Sequence, residues 1–177
     1  IAYDFYLKGI FSFDQRIYLT KAQWEAPIDF FKKAIEADSN FALAHAQLAY
    51  TYATIAVFIE PMEPSWAERA KEEMDLAQAL DPHLAETHLA RAQLLYSSQE
   101  GYEGEAAVHE VQLAQQLNLD TGHAELAFLY LHLGLVDLGS SELRRAADVD
   151  PTSEFVKGLT ILMYMVGSKY DEYAAHR

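Results

Sequence analysis

Apolar positions recur along most of the chain at spacings of three and four, the period of a helix with one buried face. Phe31, Ala34 and Ile35 make one such stripe. Ala70, Met74, Ala77 and Leu80 make a second, and Leu143, Ala146, Ala147 and Val149 a third. These stripes run into short polar phrases: Glu36-Ala37-Asp38-Ser39, Ala79-Leu80-Asp81-Pro82 and Asp148-Val149-Asp150-Pro151, with another phrase at Asn118-Leu119-Asp120-Thr121. Pro82 and Pro151 end the helices before them, because proline has no N–H to give and clashes with the preceding turn. A further helical stretch follows every phrase, and the Asp residues stand 43, 39 and 30 apart. Intervals scattered around roughly 34 residues mark a two-helix repeat. The following helices place a small residue three before a ring or a large apolar residue: Ala49 before Tyr52, Ala92 before Leu95, and Ala127 before Tyr130. Ile161 before Tyr164 repeats the spacing without the small residue. Small residues let helices approach closely while the neighbouring ring fills the groove. No Asn-Gly or Asp-Gly turn lies between alternating runs, so hairpin strands have no signal. The pattern predicts an all-α chain of stacked helical hairpins, about nine helices in all.

These residues resemble the tetratricopeptide repeat, whose first helix carries a large residue, Leu three on, then Gly or Ala, then Tyr. Its second helix carries a small residue, an aromatic and Ala, followed by Pro. Leu48, Ala49, Tyr52, Ala70, Ala77 and Pro82 fit the second repeat, with Met74 in the aromatic place. Leu126, Ala127, Tyr130, Gly139, Ala146 and Pro151 fit the fourth, with Leu143 as the large residue. The resemblance implies a right-handed α-α superhelix forming a single domain over 1–177. Its repeats fall at 1–39, 40–82, 83–121 and 122–151, with a partial one at 152–177. The third repeat departs from the pattern, with Arg91 where Leu is expected and His109 and Gln116 in the two small places. In the first, Pro27 takes the small place, so that helix should start near it or bend there. Thr20 with Gln23, and Ser65 with Glu68, have capping-box spacing. Val57 to Pro64 reads as an insertion, and Gly167 to Glu172 as a hairpin turn. Ala2 to Gly9 resembles the entry helix of repeat regions in bacterial multidomain regulators such as nucleotidyl cyclases and winged-helix transcriptional regulators. That likeness implies a sensory or interaction region beside an effector domain.

Charge and composition narrow the function. With 13 basic and 27 acidic residues the net charge is −14, which argues against a nucleic-acid phosphate surface. The imbalance is −2 over residues 1–60, −9 over 61–120 and −3 over 121–177. The middle block reads as a solvated face, and secondarily as an attraction for basic partners. There is no cysteine, so neither a disulfide framework nor a thiolate metal site exists. A cytoplasmic setting is expected, with the periplasm as the alternative. The longest apolar run, near Leu159 to Val166, is far short of the ~20 residues of a membrane span. A chain opening Ile1-Ala2-Tyr3, with no initiator methionine and no secretory signal, reads as a piece of a longer protein.

No catalytic motif is present: no nucleophile elbow, no phosphate-cradling glycine loop and no His-Glu-x-x-His helix. His45, His88 and His123 fall in equivalent slots of three first helices, where each replaces a large packing residue. Neighbouring helices lie about 8–10 Å apart and zinc–nitrogen bonds measure about 2.0–2.1 Å, so these slots do not share a metal. Glu72 and Glu73 sit in an acidic helix of exposed appearance. The expectation is a non-enzyme with no cofactor.

Recognition is the remaining chemistry. If the resemblance carries over, the first helices line a concave groove. Gln47, Tyr50, Glu86, Leu89, Gln93 and Tyr96 would face it, as would Phe128, His132 and Met165. The groove list, which also takes in Leu43, Ala46 and Leu131, holds no Lys, Arg or Asn. The family's carboxylate clamp for chaperone tails is therefore missing, and an apolar, secondarily basic, peptide or helix is the expected partner. Two alternatives stand beside it. Leu159, Leu162 and Met165 could pair with a second copy as a homodimer contact, or a small molecule could sit among the tyrosines.

Overall fold

The computed structural model describes residues 1–14, 22–118 and 120–175, with side chains to residue 166 in the last helix. Nine α-helices and no strand occur among the described residues, and the chain divides into two compact units, Ile1–Thr121 and Gly122–Arg177. Thr20, half of one predicted capping box, lies outside the described residues.

Unit 1 holds α1 (Ala2–Asp14), α2 (Ala22–Ala37), α3 (Ala42–Phe58), α4 (Ser65–Leu80), α5 (Ala85–Leu95) and α6 (Gly104–Leu117). They pair as three hairpins: α1 on α2, α3 on α4 and α5 on α6, with α3 also packed on α5. The interior is continuous from Trp24 and Phe31 through Leu48, Tyr52 and Ile55 to Met74 and Leu94. α3 is enclosed along most of its length because eleven of its residues, from Ala44 to Ala56, are buried. Close approach explains its small side chains. The same reason fixes Gly9, where an added Cβ would run into the buried Phe31 ring.

Unit 2 holds α7 (His123–His132), α8 (Val136–Val149) and α9 (Glu154–Ala175). Gly134 ends α7 at φ +75°, which glycine adopts without a Cβ penalty. Leu135 N–H then donates to Tyr130 O at 2.8 Å and Gly134 N–H to Leu131 O at 3.1 Å, the paired bonds of a Schellman motif. Gly139 lets α8 close on α7: a Cβ there would lie 3.2 Å from Ala127 O.

The four polar phrases all end helices, and they do so by one device. Backbone N–H groups donate two residues back to a side-chain oxygen: Asn40 to Asp38 at 3.0 Å, His83 to Asp81 at 3.0 Å, Asp120 to Asn118 at 3.2 Å and Thr152 to Asp150 at 2.9 Å. These are Asx turns. In the third phrase Asn118, not Asp120, is therefore the equivalent residue.

Several expectations are corrected. The small places of the third repeat are Ala107 and Ala114, both 0% exposed, not His109 and Gln116, which are exposed. The eight-residue turn before α6 shifts the register by two. Ser65 is the first residue of α4 and not its cap; its N–H donates to Glu63 Oε1 at 3.2 Å, and no side chain caps that helix. α9 runs unbroken through 167–172, so no hairpin turn occurs there. Ile161 and Tyr164 are exposed, so that pair does not fill a groove as Ala49 and Tyr52 do. α2 begins at Ala22 and carries Pro27 inside it, buried. The insertion folds back: Pro61 O accepts from Ser98 Oγ and Gln99 Nε2, both at 2.7 Å, leaving Met62 exposed.

Candidate interaction surface

In unit 1 the first helices of the hairpins are α1, α3 and α5. On α5 and the residue that caps its C-terminus, Glu86, Leu89, Gln93 and Tyr96 follow one another at three- and four-residue steps and so share a face. All four are half-buried, as are Gln47 and Tyr50 on the adjacent α3. Tyr50 leans on Phe13 of α1, with ring centroids 5.6 Å apart, and Tyr96 meets Tyr102 edge-on at 5.7 Å. Burial, then Tyr102, pushes the Tyr96 phenol above its usual range. Gln93 Nε2 is buried without a hydrogen-bond partner.

Sequence reasoning missed the contribution of α1. Tyr3, Tyr6 and Phe41 form an aromatic cluster, with centroids 6.0 Å apart for Tyr3–Tyr6, 6.4 Å for Tyr3–Phe41 and 5.3 Å for Tyr6–Phe41. The signal was present in the apolar spacing of Tyr3, Tyr6, Ile10 and Phe13. Tyr102 was missed as well; it holds φ +59°, which is uncommon for a residue with a side chain.

The predicted residues of unit 2 part ways. Phe128 is 9% exposed and packs near Phe155, with ring centroids 6.5 Å apart. His132 is exposed; its ring lies 4.1 Å from that of Phe128, and its Nδ1 is 2.8 Å from the Phe128 carbonyl. Met165 and Leu162 are exposed, but Leu159 is only 4% exposed and is a packing residue, not a contact for a second copy.

The three equivalent histidines each meet a glutamate of the following helix. His45 Nδ1 is 2.6 Å from Glu73 Oε2, His88 Nδ1 is 2.7 Å from Glu110 Oε2 and His123 Nδ1 is 2.7 Å from Glu142 Oε2. Glu73 is thus half-buried and engaged, unlike its exposed neighbour Glu72. No group of three or more metal-ligating side chains occurs among the described residues.

No protein-family model matches the sequence, and no curated protein matches it. Solved structures do. TTC0263, a thermophilic TPR protein of Thermus thermophilus, superposes with a TM-score of 0.56 at 16% identity, over 93% of this chain and 100% of that one. A MamA protein superposes with a TM-score of 0.50 at 20% identity, over 98% of this chain and 86% of that one. The fold is that of a tetratricopeptide-repeat protein.

In the terms of that fold, each second helix in the first four repeats keeps two small or compact residues seven apart. They are Pro27 and Ala34, Ala70 and Ala77, Ala107 and Ala114, and Gly139 and Ala146, and all eight are buried. The tetratricopeptide pairing therefore holds in the third repeat too, where the sequence reading lost it. No helix among the described residues is long and apolar enough to cross a membrane.

Proposed function

We propose that the chain is a non-catalytic protein–protein interaction module that takes a peptide or helix on the face made by α1, α3 and α5. The observation that carries this reading is the shared half-burial of Gln47, Tyr50, Glu86, Leu89, Gln93 and Tyr96. A core would enclose such side chains and a solvated face would expose them. Half-buried tyrosines give a partner large contact area with little ordering left to lose. The acidic middle block favours a partner that carries basic residues beside its apolar anchors. The likeness of residues 2–9 to bacterial regulators supports a role for such a module beside an effector.

Panning a random-peptide library against the chain tests the reading. The double variant Tyr50→Ala, Tyr96→Ala should lose at least tenfold in affinity for the selected peptides with its helical circular dichroism unchanged. Equal affinity in the variant would remove the face from the proposal. A second reading, association of two copies, is favoured by the exposure of Ile161, Tyr164 and Met165 on α9. It requires a mass that rises with concentration in light scattering and falls back in Leu162→Glu, Met165→Lys.

A further inference from the structure

α1 is apolar on every side. Asp4, Lys8, Ser12 and Asp14 are its polar residues, and its other side chains are small, aliphatic or aromatic. One face meets the interior. There the Tyr6 ring lies 6.1 Å from that of Phe31, Phe13 meets Trp24 edge-on at 5.9 Å, and Gly9 is buried against Phe31. Across the helix from Gly9 stand Leu7 and Phe11, 46% and 67% exposed. Tyr3, 59% exposed, continues them one turn earlier, so three large apolar side chains follow one another at four-residue steps. Single exposed apolar residues are ordinary on a protein surface. A helix that is apolar all round belongs in an interior, and a stripe of three on an outer helix marks a contact surface.

Charge says what covers it. Two copies of a chain with net charge −14 repel, and the repulsion is least where the acidic excess is least. Residues 1–60, with −2, carry the smallest share. Within α1 the charges are complementary under two-fold symmetry. Asp4 and Lys8 each stand one position after a stripe residue, Tyr3 and Leu7, and so flank the stripe on the same side. When two α1 helices lie antiparallel with Leu7 on the axis, Tyr3 of each copy meets Phe11 of the other. The same register brings Asp4 of each copy to Lys8 of the other, as the flanking ion pairs that set orientation in paired helices. Asp4 lies 3.7 Å from the Ile1 amine and Lys8 5.5 Å from the Phe5 centroid, and both are in solvent, so each can exchange its contact.

From this arrangement we infer that the outer stripe of α1, Tyr3, Leu7 and Phe11, receives the same stripe of a second copy in an antiparallel two-fold pair. The inference goes beyond the peptide-docking face and assigns self-association to a surface other than α9. The apolar stripe supplies the contact area, and the Asp4–Lys8 pairs choose an identical chain as the partner.

Light scattering on a concentration series of the chain tests it. The mass should rise from 20.0 kDa towards twice that value. Leu7→Ser with Phe11→Ser, both at exposed positions, should weaken association about tenfold or more with the helical circular dichroism unchanged. Asp4 and Lys8 are also one turn apart in their own helix, so the charges are tested by mixing. Asp4→Lys alone and Lys8→Asp alone should each weaken association, since each sets like charges against like. Mixed in equal amounts, the two variants should associate again, because one supplies two cations and the other two carboxylates. The chain has no cysteine, so Leu7→Cys on the axis should give a disulfide-linked dimer under mild oxidation. Met62→Cys, at another exposed position, should not. A mass that stays at the monomer value overturns the inference, as does undiminished association in Leu7→Ser, Phe11→Ser. A mixture no tighter than either charge variant alone overturns the pairing of identical helices. Loss of association only in Leu162→Glu, Met165→Lys would overturn it too, by moving the contact to α9.

Discussion

Tyr52 shows how one side chain couples packing to charge. Its ring is 3% exposed and sits 5.7 Å from that of Trp66, whose indole N–H donates to Glu60 at 2.6 Å. Burial, and after it the negative charge of Glu73, push the Tyr52 phenol from 10.0 up to about 12, as happens at Tyr6. The folded state therefore keeps protons that the unfolded chain releases first. Stability from these tyrosines is fully present below pH 10 and is lost as pH rises through about 12. Denaturant melts at pH 9, 10.5 and 11.5 should show a progressive fall, of about 2 kcal/mol from Tyr52. Tyr52→Phe should flatten that slope; an unchanged slope in the variant would detach the effect from this residue. None of this was legible from the sequence, which marks Tyr52 as a packing ring but says nothing of Glu73 beside it. The aromatic cluster of Tyr3, Tyr6 and Phe41 was not legible either. The tetratricopeptide pattern was matched from the second repeat onward, and α1 was read only for its resemblance.

The helical hairpins are tied by a motif that the sequence half revealed. The histidine slots of α3, α5 and α7 were visible as equivalent positions. Their partners were not, because the turns between first and second helices differ in length. In every case the glutamate stands three residues after the first small residue of its helix: Glu73 after Ala70, Glu110 after Ala107 and Glu142 after Gly139. In the first repeat the corresponding positions are Phe5 and Phe30, so the polar partners are absent there. The ends of α2, α4 and α8 were legible from their Asp-bearing phrases, whereas the Asx turn after α6 is built on Asn118 and not Asp120. The register of α6 was not legible, because an eight-residue turn conceals it.

Each rung joins two helices through side chains that are largely buried: His45 and Glu73 are 6% and 22% exposed. Removing one member strands the other in a poorly hydrated place. His45→Ala should cost about 1–3 kcal/mol. A double-mutant cycle with Glu73→Gln should return a coupling of about 0.5–3 kcal/mol. Losses that add to within about 0.5 kcal/mol would mean that the rung contributes contact area and no specific interaction.

The two units differ in how much interior they own. The continuous core from Trp24 to Leu94 lies wholly within residues 1–121, with aromatic rings, Leu48 and Ile55 fully enclosed. In residues 122–177 the buried apolar residues run from Leu126 to Leu159, and α9 leaves Ile161, Tyr164 and Met165 exposed. Folding must offset about 1–2 kcal/mol of backbone entropy for every residue ordered, and short chains bury too small a share of their surface to do so comfortably. A segment spanning residues 1–121 should therefore unfold cooperatively on its own, with most of the helical signal retained. A segment spanning 122–177 should be marginal, gaining helix only at low temperature. Circular dichroism melts of the two segments decide the matter. A non-cooperative melt for residues 1–121 would show that its core does not suffice. Salt adds a second reading to the same experiment. The first segment carries most of the negative excess, so screening its self-repulsion should raise its melting temperature more than that of the second. The acidic charge would then act as a cost to the fold that a basic partner relieves on binding.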